Sequence, residues 1–266
     1  MTNIDRLRNI VELIKQKIES TSYKENDVRK AYYENLYSIL NEFYIGKVFF
    51  ELSSQIKEGN IKFTPEIYHL KNHILRIYEI ADHPLLSDSY HNDLNRKIFA
   101  DSFTNFESTI DLCVDSLIEE KQRNRIIEEI NSKILKLFPN DSDNKDVFFQ
   151  HLKKITYIPL LRKFKYLAKY KENCYGENYH SDIEFIEFSA KLRNCVSHSG
   201  GYYKGNNYEY EFEGVKFIFK NGEFLEMQGN NEFVFVKLNE RLTNIIDRLF
   251  NCLKDINFIK YPDDGF

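Results

Sequence analysis

Hydrophobic residues recur every three to four positions along most of the chain, which is the spacing of one face of an α-helix. Residues 4–18 show this pattern first, and a second run begins after Asn26 and Asp27, a natural N-cap pair. Thr64 and Pro65 mark another helix start, because proline is tolerated in the first helical position. The pattern predicts helices over residues 4–18, 28–56, 64–82, 95–117, 125–138, 159–171 and 182–198, with a polar loop at 139–146.

The period changes from 3.6 to 2 after residue 207, as it does in half-buried β-strands. Asn221-Gly222 adds a strong hairpin signal. The predicted strands are 208–212, 215–219, 223–227 and 232–236, and a last helical stripe covers 238–256. We therefore expect a mainly α protein, an antiparallel helical bundle with a small antiparallel β-meander at about 207–237 inserted before the C-terminal helix.

The length of 266 residues, 42% of them hydrophobic, is enough to bury a sizeable core in one large domain or two modest ones. No Pro- or Ser-rich linker marks a firm boundary. We interpret residues 1–85 as an N-terminal helical region and residues 86–266 as a helical domain that contains the meander.

Charge and composition narrow the function classes. The formal net charge is −4, so any contact with RNA or DNA must be local. No run of 18 apolar residues and no secretory leader occurs, which predicts a cytoplasmic protein without a membrane segment. The four cysteines lie far apart in the sequence, so we expect reduced thiols. His69 and His73 are four positions apart on one predicted helix, but the sequence places no third ligand for a metal site beside them. No metal or cofactor is expected.

One short stretch carries candidate chemistry, KLRNCVSHSGG at residues 191–201. Chance alone gives roughly 0.3 Arg-x4-His pairs in such a chain, so the spacing is weak evidence by itself. A helical wheel places Leu192 and Val196 on the core face, Asn194 and His198 together on the other side, and Arg193 beside a second, shorter apolar stripe. That second stripe indicates another packing partner, either a second subunit or the C-terminal elements.

These residue types suit phosphate chemistry. A histidine can exchange a proton near neutral pH, an arginine can hold two phosphoryl oxygens, and an asparagine can orient either group. Together they could cleave RNA without a metal, if a base activates the ribose 2′-hydroxyl and a cation stabilises the phosphorane. The simpler alternative is a helix C-terminus stabilised by a cation, with Arg193 in a salt bridge.

The sequence Arg193-Asn194-Cys195-Val196-Ser197-His198, near the end of a helix in a helical bundle, resembles the HEPN superfamily, and bacterial defence and abortive-infection branches in particular. The resemblance covers about residues 90–256. It implies a homodimer in which two R-x4-H motifs form a metal-independent endoribonuclease, with Arg193 and His198 catalytic and Asn194 in the polar position after the arginine. A phage-defence effector or toxin, with an antitoxin or regulatory protein, fits this branch. The alternatives are a non-catalytic RNA- or nucleotide-binding or scaffold protein, and a housekeeping role in RNA processing.

A basic strip precedes the motif. Residues 153–171 contain seven lysines and arginines and no acidic residue. The wheel places Arg162, Lys165, Tyr166 and Lys169 together on the outer face, which suits phosphate contacts and stacking on a base. An ordinary solvated helix face is the alternative.

Two further sets of residues could support the motif. Glu107 could orient Arg193 through an ion pair, or it could be a surface carboxylate. Tyr202 and Tyr203 could stack on a base, although packing is the favoured interpretation because tyrosine is abundant in this chain.

Overall fold

The structure is a computed structural model that describes residues 3–61, 64, 84–136, 157–172, 174–198, 201–229 and 233–261. The helices in this part of the chain are α1 (Asn3–Ser20), α2 (Val28–Lys57), α3 (Pro84–Leu117), α4 (Glu120–Leu135), α5 (Leu160–Ala168), α6 (Tyr179–His198) and α7 (Val234–Cys252). The strands are β1 (Tyr208–Phe212), β2 (Val215–Phe219) and β3 (Glu226–Gln228). The predicted helix at 64–82 and the polar loop at 139–146 lie outside the described residues, apart from Thr64.

The predicted fold class is confirmed, because the protein is mainly helical with a small antiparallel sheet before the final helix. The sheet has the order β1-β2-β3, and Tyr210 lies opposite Phe217 in the first pair. Glu213 and Gly214 form the connecting turn with φ of 50° and 74°. Positive φ at both central residues matches the right-handed twist of the flanking strands.

The fourth predicted strand, at 232–236, is wrong, and the meander ends at residue 228 rather than 237. Residues 234–236 form the first turn of α7, where Val234, Phe235 and Val236 are all buried. Valine and phenylalanine favour a strand locally, but burial of all three side chains against the helical core prevails over that preference. The third strand is also displaced, from the predicted 223–227 to Glu226–Gln228.

Two predicted helix boundaries also differ. Helix α3 begins at Pro84, well before residue 95, and α4 begins at Glu120 rather than at 125. The apolar stripe of α3 is clean only from Ile98 onward, where its side chains enter the core. Periodicity therefore located the part of α3 that contains this buried stripe.

One hydrophobic cluster joins helices α1 and α2 to the rest of the described chain. A buried ion pair between Asp27 and Arg29 fixes this junction, with 2.8 Å between Oδ2 and Nη2. Arg29 also donates hydrogen bonds to the carbonyl oxygens of Leu253 and Ile256, just after α7. These contacts tie the buried guanidinium of Arg29 to the backbone that follows α7. The domain boundary predicted near residue 85 lies beside residues 65–83, which are outside the described part of the chain.

The expectation of four reduced thiols is wrong for one pair, because Cys174 and Cys252 form a disulfide. The loop before α6 folds back onto the end of α7 and brings their Cα atoms to 5.1 Å, although 78 positions separate them in sequence. Cys113 and Cys195 are free and buried. Burial raises the pKa of the Cys113 thiol to about 12, so it stays protonated at neutral pH.

Within the described residues, no helix has the length and apolar character needed to cross a membrane.

Candidate active site at the end of helix α6

Helix α6 is anchored on both of the apolar stripes that the helical wheel indicated. Phe185, Ser189 and Leu192 are buried on the first stripe, while Val196 is half-buried. On the second stripe, Ile186 is fully buried within the same chain. The helix therefore has intramolecular partners on two sides, and its remaining face is left for Asn194, which is exposed.

The arginine of the motif is held by two polar neighbours. Its Nη2 lies 3.4 Å from Oε2 of Glu107 on α3, and its Nη1 donates a hydrogen bond of 3.0 Å to Oδ1 of Asn194. The side chains of Arg193 and Glu107 are 21% and 28% exposed. The structure thus shows the pairing with Glu107 that the sequence raised as one of two possibilities. The guanidinium is oriented but remains in contact with solvent.

The cysteine inside the motif has a structural role. Burial raises the pKa of the Cys195 thiol, which therefore remains protonated at neutral pH. This thiol donates a hydrogen bond to the Gly201 carbonyl oxygen at 3.1 Å, and the Gly201 N–H donates to the Cys195 carbonyl oxygen at 2.9 Å. The second bond ties Gly201, three residues past the end of α6, back to the backbone of the motif. A thiolate nucleophile at this position is not supported.

The histidine of the motif, His198, is the last residue of α6, and its side chain lies outside the described part of the chain. Its predicted accessibility to solvent stays a prediction. The helical backbone places Asn194 and His198 four residues apart on one face, and Arg193 about 7.5 Å from His198 along the axis. Positions 193 and 198 are also about 140° apart around the helix axis.

The basic strip, defined as Arg162, Lys165, Tyr166 and Lys169, follows helix α5. Of the predicted buried face, Leu160, Phe164 and Leu167 are buried, while Leu161 is half-buried. Arg162 and Lys165 are half-buried, and neither forms an ion pair with a described residue.

The other two members of the strip have neighbours. The Tyr166 hydroxyl lies 3.2 Å from both the Leu117 carbonyl oxygen and Oε1 of Gln122, so this ring is partly tied to the fold. Lys169 is exposed, and its Nζ lies 5.7 Å from the centre of the Tyr179 ring. Lys153 and Lys154 lie outside the described residues.

Helix α3 places the motif and the basic strip side by side. Glu107, the partner of Arg193, is one turn before Asp111, and Asp111 forms a 2.7 Å ion pair with Lys163 of α5. Four residues correspond to about 6 Å along a helix. From this point, α5 continues beside α6 toward Tyr179, at the opposite end of the motif helix.

The first turn of α6 contains a buried cluster that the sequence did not indicate. Asp182 has a fully buried side chain and accepts hydrogen bonds from Tyr175 at 2.7 Å, Arg241 at 2.6 Å and Arg248 at 2.9 Å. Burial and the bond to Asp182 raise the pKa of the Tyr175 hydroxyl. The two arginines lie on α7, so the cluster joins the start of α6 to the C-terminal helix. The only local feature of the sequence that could have drawn attention to Asp182 is that it is an acidic residue in the first turn of a helix.

Among the described residues, no group of three or more His, Cys, Asp or Glu side chains could hold a metal ion. His69 and His73 are outside that part of the chain.

Comparison with known proteins does not extend this description. No protein-family model, no curated protein and no solved structure matches the chain. We therefore infer a function from the geometry around residues 193–198 and from the resemblance of that stretch to the HEPN superfamily.

Proposed function

We propose that this protein is a metal-independent endoribonuclease of the HEPN type. The observation that carries the proposal is the placement of Arg193 and Asn194 at a solvent-facing helix end, where Glu107 orients the guanidinium without burying it. The Arg193 side chain is about as exposed as those of Arg241 and Arg248, and the difference lies in the carboxylate partner, because Glu107 is 28% exposed whereas Asp182 is fully buried. Helix α6 ends at His198, and histidine is the residue type of this set that exchanges a proton near neutral pH.

The proposed reaction needs only groups of the protein and the RNA. His198 accepts the proton of a ribose 2′-hydroxyl, and the resulting oxygen attacks the adjacent phosphorus atom. The bond from phosphorus to the 5′-oxygen breaks, and that oxygen takes up a proton, which leaves a 2′,3′-cyclic phosphate and a 5′-hydroxyl. Arg193 stabilises the negative charge of the phosphorane, while Asn194 orients the guanidinium through the observed hydrogen bond.

The basic strip supplies a path for the RNA backbone. It begins near the Lys163–Asp111 pair, one turn of α3 from Glu107, and it runs along α6 toward Tyr179. The strip spans seven positions, from Arg162 to Lys169, which correspond to about 10 Å of helix α5. A cationic row of that length beside the motif would contact several phosphates, although the whole chain carries a net charge of −4.

The proposal includes a homodimer, in which two motifs share one cleft, and a cytoplasmic location, where RNA is abundant. An antitoxin or regulatory protein would restrain the activity.

Cleavage of RNA in the presence of EDTA tests the proposal. The purified protein is incubated with total cellular RNA, together with the variants His198→Ala and Arg193→Ala. His180→Ala and Arg125→Ala are matched controls, because His180 is exposed at the far end of the same helix and Arg125 is exposed on α4. We expect cleavage that leaves cyclic phosphate ends and falls at least about 100-fold in the two motif variants. Equal cleavage by all five proteins would overturn the assignment, as would cleavage that EDTA abolishes.

If the protein acts in defence or as a toxin, its activity should also affect the growth of cells. Induction of the wild-type protein should arrest growth, whereas induction of His198→Ala at the same level should not. Survival with the active protein would favour a housekeeping role in RNA processing.

The alternative is a non-catalytic RNA- or nucleotide-binding or scaffold protein. It is favoured by the fact that Arg193 already has two polar partners, Glu107 and Asn194, within its own chain. RNA binding that depends on the basic strip, without any cleavage, would support this alternative.

A further inference from the structure

Phe224 is the most exposed of the large hydrophobic side chains in the described part of the chain, at 69% of its surface. Tyr202 packs its ring edge-on against it, with 5.6 Å between ring centroids. A single exposed apolar side chain is common, but an exposed aromatic pair beside a candidate active site is a feature of binding surfaces. Tyr203, the other tyrosine considered for stacking, is buried at 8% exposure and belongs to the core.

The aromatic pair is fixed directly to the end of the motif helix. The Leu225 N–H donates to the Gly201 carbonyl oxygen at 2.7 Å, and the Tyr203 N–H donates to the Glu223 carbonyl oxygen at 2.8 Å. These bonds bracket Phe224 on both sides. Gly201 is in turn bonded to Cys195 inside the motif and follows His198 by three residues. The rings therefore occupy a defined position next to the motif.

The guanidinium of Arg96 lies close to Gly201, next to Phe224. A Cβ atom on Gly201 would lie 3.7 Å from Cδ1 of Phe224 and 3.9 Å from Nη2 of Arg96. Arg96 is an exposed residue of α3, eleven positions before Glu107, which is three turns plus about 20°. The two residues therefore share one face of α3, about 16 Å apart. Arg96 and Phe224 border the candidate site on the side opposite the basic strip.

We propose that Phe224, Tyr202 and Arg96 form a base-stacking subsite for single-stranded RNA, next to the cleavage site. This subsite rests on the proposed function and adds a preference for unpaired RNA. Phe224 stacks on one unpaired base while Arg96 contacts the adjoining phosphate. An RNA duplex cannot bind in this way, because its bases are already stacked on each other.

A second protein copy is a poorer occupant of this surface. The neighbouring residues Glu223, Glu226 and Gln228 are polar and exposed. The apolar area is one ring pair, far less than the roughly 1,200 Å² buried in stable protein interfaces. A base with its phosphate matches both the size of the aromatic surface and the charge of Arg96.

The absence of tryptophan from the sequence allows a direct test. Phe224→Trp introduces a single indole at the proposed subsite, and Phe258→Trp introduces one at a remote exposed phenylalanine as the matched control. With His198→Ala added to prevent cleavage, titration with a 12-nucleotide single-stranded RNA should quench the fluorescence at position 224 and leave position 258 unchanged. A duplex of the same sequence should quench neither.

Binding of the same RNA, measured by fluorescence anisotropy, gives the second readout. Phe224→Ala and Arg96→Ala should each weaken binding about tenfold, while Phe224→Tyr and Phe258→Ala should bind like the wild type. Unchanged affinity in Phe224→Ala, or equal quenching by duplex, would overturn the subsite. Dimer dissociation caused by Phe224→Ala would also overturn it, by showing a subunit contact instead. If RNA binding requires Phe224 but the wild-type protein cleaves no RNA, the subsite is supported and the nuclease assignment is rejected.

Discussion

The first and last turns of helix α6 both place charged side chains against a neighbouring helix, and the two sets of contacts differ in burial and distance. In the first turn, Asp182 is fully buried and accepts bonds of 2.6–2.9 Å from Tyr175, Arg241 and Arg248. Near the last turn, Arg193 is 21% exposed and lies 3.4 Å from its carboxylate partner. The same helix thus carries a closed polar cluster at one end and an open one at the other.

This difference predicts separate roles for the two ends of α6, one in the stability of the fold and the other in activity. A buried carboxylate with three donors cannot exchange partners without a large cost in desolvation, so Asp182 fixes where α6 begins relative to α7. A partly exposed arginine with a partly exposed partner loses little when it leaves that carboxylate, so Arg193 can turn to a phosphate. We therefore expect mutations at the first turn to change the free energy of unfolding, and mutations at the last turn to change activity.

The largest effect on stability is expected for Asp182→Ala, which removes the buried carboxylate and leaves Arg241 and Arg248 without their partner. The free energy of unfolding should fall by about 3–5 kcal/mol, as it does when one partner of a buried ion pair is removed. Urea denaturation followed by circular dichroism measures this change. Glu184→Ala is the matched control, because Glu184 is exposed on the same helix. Equal stability of the two variants would show that the cluster does not hold α6.

Reduction of the disulfide between Cys174 and Cys252, which also lies before the first turn of α6, should have the next largest effect. The bond closes a loop of 78 residues, and such cross-links contribute about 2–4 kcal/mol by restricting the unfolded chain. Dithiothreitol should lower Tm by about 5–10 °C. In a reducing cytosol this contribution would be absent.

Cys252→Ser provides the control for reduction. Its Tm should be low from the start and insensitive to dithiothreitol, because Cys174 has lost its partner and the other two cysteines, Cys113 and Cys195, are buried. A wild-type Tm that dithiothreitol does not change would contradict the stabilising role of the bond.

Local patterns in the sequence were sufficient to predict several parts of this comparison. The 3.6-residue period identified the buried face of α6, and the alternation at 208–219 identified the first hairpin, because both depend on neighbours within a few positions. The same reasoning failed for Val234–Val236, whose β-branched and aromatic residues are typical of a strand but whose side chains are all buried in a helix. Tertiary packing decided that segment.

Contacts between distant positions were the part that could not be predicted. Asp182 meets Arg241 and Arg248 across 59 and 66 positions, and no periodicity connects them. Glu107 and Arg193, 86 positions apart, could only be raised as a possible pair. Phe224 and Arg96 became neighbours of the motif only through the backbone pairing around Gly201.

At the other end of α6, Arg193→Ala should change stability little. The arginine is part-exposed and its ion pair is long, so the free energy of unfolding should fall by less than about 1 kcal/mol. Measured by the same urea denaturation, this value should lie well below that of Asp182→Ala. A loss as large as that of the buried cluster would mean that Arg193 is structural, and it would weaken the proposed nuclease.

The smallest effect on stability is expected at Glu107, which we interpret as a positioning residue for Arg193. Glu107→Gln keeps an oxygen that can accept a hydrogen bond from the guanidinium, whereas Glu107→Ala removes it. Both should alter the free energy of unfolding by only a few tenths of a kcal/mol. The alanine variant should lower kcat about threefold to tenfold with little change in KM, because a misplaced cation stabilises the transition state less well.

The glutamine variant should restore most of kcat if orientation is what Glu107 supplies. Glu187→Ala, which breaks an exposed pair with Lys191 on the same helix, serves as the matched control and should leave both parameters unchanged. If both Glu107 variants instead raise kcat or lower KM, the carboxylate competes with the RNA phosphate for Arg193. The open end of α6 would then be held in a restrained state by its own ion pair, and Glu107 would limit the activity rather than support it.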